Sequence, residues 1–167
     1  CYELRARFKF FEEDFEQSYL DSQMACELAT RAGSPTLNGY ALFTLHRALM
    51  VRGQRAEAMI AAHRAVANME AAFVVSGLVM CLASVGYAHA MSSEGPASVR
   101  SLTRALNLSH RYGFVHGILN CSYLLAAAHL IEHQHDRARE LFEDVLERYR
   151  AMELHNNIHK TLMMMTL

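Results

Sequence analysis

The chain contains no tryptophan and only two prolines, and only Lys9 and Lys160 among its 16 basic residues are lysine. Acidic and basic residues nearly cancel, leaving a net charge of -1. Such a balance cannot neutralise a phosphate backbone, which argues against direct nucleic-acid binding by this segment. The four cysteines, Cys1, Cys26, Cys81 and Cys121, form no C-x-x-C pair, so a zinc knuckle has no support. Their wide spacing within apolar patterns suits buried free thiols in a reducing, cytoplasmic setting. The glycines are scattered and none precedes a Lys-Ser/Thr pair, and no G-x-S-x-G elbow occurs. Phosphate-loop and serine-hydrolase chemistry therefore lose their usual signatures, and no cofactor is implied. Residue 1 is Cys and no signal peptide is visible, so the chain reads as a piece of something longer.

What remains is 52% hydrophobic and 20% charged, a composition that builds a core. From 71 to 93 there is no Asp, Glu, Lys or Arg. The length would span a bilayer, but Ser76, Gly77, Ser84, Gly86 and His89 dilute its apolarity. A buried helix is the better expectation, with no membrane partner.

Short polar breaks, "EEDFEQ", "RGQRAE", "SEGPAS" and "HQHDRARE", recur along the sequence. Phe15, Ala56, Ala97 and Ala138 sit just past them at a spacing of about 41 residues, the mark of a repeat. Segments before a break are nearly uncharged; those after it, such as "DRARELFEDVLERYRAMEL", carry the charge. An uncharged helix is packed on several sides, whereas a charged stripe faces solvent. Each unit is therefore a hairpin of an inner and an outer helix. Caps fit this reading: Ser34-Pro35, Asp14 with Gln17, Pro96 and Asp136 at helix starts, Gly33 and Gly113 at helix ends. Strand alternation is missing. The expectation is an all-α chain, 1–167, forming one repeat domain with partial repeats at both ends. Met163, Met164, Met165 and Leu167 would then form an uncovered apolar end open to self-association.

Hairpins such as "ALFTLHRALMVRGQRAEAM", with alanine at 56, 97 and 138 and a bulky residue at Ile60 and Phe142, resemble tetratricopeptide repeats. The period exceeds the usual 34. A period near forty, with "ACELATRAG", is similar to the helical superhelix of MalT-type bacterial transcription regulators and of ATPase-linked signalling proteins. That resemblance implies a right-handed α-α hairpin solenoid that docks or senses a protein or peptide on its inner helices.

On a spacing of 41, Asn38, Val79 and Asn120 share one rung, Ala41, Leu82 and Tyr123 the next, and Ala48, His89 and Leu130 another. Asparagine can bond the donor and acceptor of an extended peptide together. Asn38, Asn120, Tyr123 and His89 are the expected peptide-binding residues, unless the asparagines pair within the array. A small molecule between inner helices near Ser84, Tyr87 and Tyr123 is the alternative.

One motif points elsewhere. His129-Leu-Ile-Glu-His133 reads H-x-x-E-H, the inverted zinc-peptidase pattern. On the 41-residue ladder it falls at the end of an inner helix and runs into a turn with His135 and Asp136. A catalytic zinc needs a third ligand and a cleft, for which little chain remains. Neither a catalytic residue nor a metal site is expected, with metal binding or a metal-dependent hydrolase through His129 and His133 a remote alternative.

Overall fold

The computed structural model describes residues 1–166. Among them are nine helices and no strand: α1 (Tyr2–Phe11), α2 (Phe15–Arg31), α3 (Pro35–Val51), α4 (Arg55–Ala71), α5 (Val75–Met91), α6 (Gly95–Tyr112), α7 (Val115–Ile131), α8 (His135–Ala151) and α9 (His155–Met165). From α2 onward helices begin every 20 residues, at 15, 35, 55, 75, 95, 115, 135 and 155, so a hairpin spans 40. The chain divides into two compact units, Cys1–Cys81 and Leu82–Leu167, with the division inside α5.

That period is one residue shorter than the alanine spacing, and burial explains the difference. Ala56 is exposed and Ala97 half-buried. The small residues that do lie in the core are Ser18, Ala58, Ser98 and Ala138, each at most 1% exposed and 40 apart. They are small because the inner helix crosses there. Ser18 Oγ donates to the Ala6 carbonyl at 2.8 Å. His46, Ala6's counterpart one hairpin on, places Nδ1 2.9 Å from the Ala58 carbonyl. The bulky residue one turn later is Leu102 or Phe142, both buried, and not Ile60, which is 61% exposed.

Glycines on inner helices make room for large partners. In the first unit a Cβ at Gly77 would lie 2.5 Å from Met69 Sδ, and one at Gly39 2.8 Å from its methyl carbon. In the second unit Leu102 fills the space beside Gly86 in the same way. Tyr123 packs edge-on against buried Phe142 with ring centres 5.7 Å apart.

The eight connections share one form, three residues long except at 113–114, where α6 runs one residue further. Its residue before the last is left-handed: Glu13, Gly33, Gly53, Phe73, Ser93, Gly113, His133 and Glu153 all have φ between 54° and 75°. The next residue's N–H reaches back five residues, as Ser34 N to Ala29 O at 3.1 Å and Gln134 N to His129 O at 2.9 Å. This is the Schellman closure, which satisfies the last carbonyls of each helix. That same residue then caps the next helix: Asp14 and Ser34 side chains accept from Gln17 N and Leu37 N. Gln17 does not close a reciprocal box; its amide donates to Asp21 instead. Nor does Asp136 cap α8, because Gln134 holds that position and Asp136 lies in the first turn.

The uncharged 71–93 segment is broken by a turn at 72–74. Among the described residues no helix is long and apolar enough to cross a membrane. Met164 and Met165 are partly buried against Phe142 and its neighbours, which corrects the expectation of a bare methionine end; Met163 is 59% exposed and Leu167 lies outside the described residues.

Candidate functional site

His129, Glu132 and His133 are all joint residues. His129 is 8% exposed, and its Nδ1 lies 3.0 Å from Gln134 Oε1, tying the last turn of α7 to the cap of α8. His89 does the same one hairpin earlier, 2.6 Å from Glu94. Lys9 and Asp14, at 3.7 Å, are the counterpart in the first hairpin. Glu132 lays its carboxylate over Gly95, in the place a Cβ would occupy, at the N-terminal turn of α6. Negative charge is favoured there by the helix dipole. His133 is the left-handed turn residue. Among the described residues no group of three or more His, Cys, Asp or Glu is placed to hold a metal ion.

The expected peptide-binding residues separate. On the 40-residue period Asn38 aligns with Leu78 and Ile118, and Asn120 with Tyr40 and Met80, so the two asparagines do not share a rung. Asn38 is half-buried in the first unit, with Oδ1 enclosed and unpartnered. Asn120 is exposed on α7 in the second unit, one turn before Tyr123. Tyr123 is half-buried, and burial raises its phenol above the ordinary value. His89 is occupied by Glu94.

Inner helices nevertheless keep one stripe open. On α3 it runs Thr36, Tyr40, Phe43, Arg47, Val51; on α7 it runs His116, Asn120, Tyr123, Ala127, Ile131. Both follow i, i+4, i+7, i+11, i+15, the spacing of a single helix face. In the second unit α5 adds Ser84, Tyr87 and Met91, the last two each 48% exposed.

Arg47 is a further member, which no motif in the sequence singles out. Its guanidinium carbon stands 3.9 Å from the Phe10 ring centre, 5.6 Å from Phe11 and 5.9 Å from Phe43. Burial, and then the charge of Arg7, lower its pKa from the ordinary arginine value. Two other arginines of this unit have acids close by: Arg5 reaches Asp21 at 2.5 Å, and Arg52 reaches Glu16. Asp21 is held below the usual carboxylate range, chiefly by Arg5.

The thiols are free. Cys81 and Cys121 are buried as expected, Cys26 is half-buried and Cys1 is exposed. Burial pushes Cys26 to about 11, Cys81 to about 12 and Cys121 to about 11, away from reactive thiolate.

No family model and no curated protein matches the chain. Solved structures do. Nearly identical TPR-like repeats assigned to a kinesin light chain of Podosopora anserina align at TM-score 0.78 and 15% identity, over 98% of this chain and 81% of that one. Aspartyl phosphate phosphatase F of Bacillus subtilis aligns at 0.73 and 15%, over 99% of this chain and 47% of that one. MamA protein aligns at 0.60 and 18%, over 98% and 87%. At such identities the likeness is one of fold. The nine helices form a TPR-like repeat arrangement.

Proposed function

We propose that this chain is a protein–protein interaction module, a docking or sensing segment of a multidomain bacterial transcription regulator or signalling protein of the MalT type. On this reading residues 1–167 belong to one repeat domain working in the cytoplasm. The observation that carries it is the open stripe on the inner helices. Uncharged helices ordinarily bury their large side chains. Here Tyr87, Met91 and Ile131 stay 46–48% exposed, and Asn120 is exposed as well. Aromatic and methionine side chains flanked by polar ones are what a peptide-binding face needs. The open setting of Ser84 and Tyr87 favours an extended peptide over an enclosed small molecule. Asn120 and Tyr123 remain the proposed contacts on α7; Asn38 and His89 are weaker, one being turned partly inward and the other already paired.

The test is selection of a phage-displayed random peptide library on purified protein. Peptides that bind the wild type and lose about tenfold or more with Tyr87→Ala plus Asn120→Ala support the reading. Failure to select any peptide, or binding indifferent to those changes, counts against it.

A further inference from the structure

The stripe in the first unit differs chemically from that in the second. Arg7 and Arg47 are 40 apart and so hold equivalent positions on α1 and α3. Arg7 has a loose partner, Glu3, at 3.6 Å. Arg47 has aromatic neighbours and no ion pair among the described residues. The three charges leave one positive charge uncompensated, held by a planar group that is already partly stripped of water. Stacked on Phe10 the guanidinium is oriented, which lowers the entropy lost when its fork is engaged. Phe11, 71% exposed, adds an apolar surface beside it. A half-buried cation without an anion costs free energy that an incoming carboxylate would return.

We propose that Arg47, supported by Phe10, Phe11 and Phe43, is the anchor for an acidic side chain of the docked protein segment, with Arg7 adding long-range attraction. This rests on the docking reading and narrows its partner: a segment with glutamate or aspartate next to an apolar residue that covers Phe11. The apolar neighbour separates such a segment from a free anion. The fork geometry suits a carboxylate held by two parallel N–H bonds, which a lysine in the same place could not supply.

The experiment is fluorescence anisotropy of labelled hexaglutamate and hexaglutamine, each with a central leucine, on the whole chain at low and high salt. The expected result is binding of the glutamate peptide alone, weakened by salt and reduced about tenfold or more by Arg47→Met. Arg47→Lys, which keeps the charge, should recover only part, and circular dichroism confirms that both variants remain helical. If Arg47→Met fails to fold, the Lys variant decides: full affinity there overturns the proposal. Equal binding of both peptides, no binding of the glutamate peptide, or displacement by inorganic phosphate at matching affinity also overturns it. Phage selection on the same protein separates the two readings. Neutral peptides selected there, with affinity unmoved by Arg47→Met, would leave the docking reading standing without this anchor; no peptides at all would remove both.

Discussion

At the residue scale, the packing of this chain rests on a few size-matched pairs. Met69 is fully buried and fills the gaps beside Gly39 and Gly77. Met69→Ala should cost about 2–5 kcal/mol in denaturant unfolding. Gly86→Ala drives a methyl into the branched, buried Leu102 and should cost about 1–3 kcal/mol. Gly95→Ala meets only the Glu132 carboxylate, which can swing away, so its cost should be smaller. Buried His46 titrates against the fold. Burial, with smaller contributions from Arg47 and His63, lowers its pKa below the ordinary value of about 6.5. The unfolded chain therefore takes up a proton more readily than the folded one. This contribution is fully present above about pH 6.5 and is lost as pH falls through the lowered folded value. The melting temperature should drop between pH 7.5 and 5.5, and His46→Gln should reduce that drop.

At the element scale, helices α1 to α8 are each closed by the same turn, and that turn needs one left-handed residue. Three positions use glycine, where the conformation is free of strain. Phe73 is the opposite case, a bulky ring at φ 54° with 90% of its surface exposed. Phe73→Gly should raise stability by up to about 1 kcal/mol, and Gly33→Ala should lower it by about as much. Gly33 and Gly113 marked two of these turns in the sequence. Glu13, Ser93, His133 and Glu153 could not, because their residue types carry no left-handed signature strong enough to read. H-x-x-E-H was misleading for a related reason. A motif records spacing, whereas the roles of His129 and Glu132 depend on Gln134 and on Gly95, the latter more than thirty residues away in sequence.

At the scale of the whole molecule, the hairpin order was legible because charge alternates between inner and outer segments, a property of solvent exposure that burial confirms. The register was not. Ala56 and Ala97 are surface or half-buried alanines at a deceptive spacing, while half of the true small-residue series, Ser18 and Ser98, is serine. A slip of one residue per hairpin rotates a helical face by about 100° each time, and over two hairpins it puts Asn38 and Asn120 on one imagined rung. The register itself is testable: Ala58→Leu should destabilise the chain by about 1–3 kcal/mol, while Ala56→Leu should stay within about 0.5 kcal/mol. The stripe residues that carry the proposed function were partly named, Asn120 and Tyr123 among them. Arg47 was not, because nothing in the order of residues shows that Phe10 and Phe43 meet around it.

The docking reading is tested most directly by an amide NMR titration of the isotopically labelled chain with a selected peptide. Shifted signals are expected to concentrate on an inner stripe, at Tyr40, Phe43 and Arg47 of α3 within the first unit or at Asn120 and Tyr123 of α7 within the second. Shifts gathered instead on the outer helices α2, α4, α6 and α8 would contradict it.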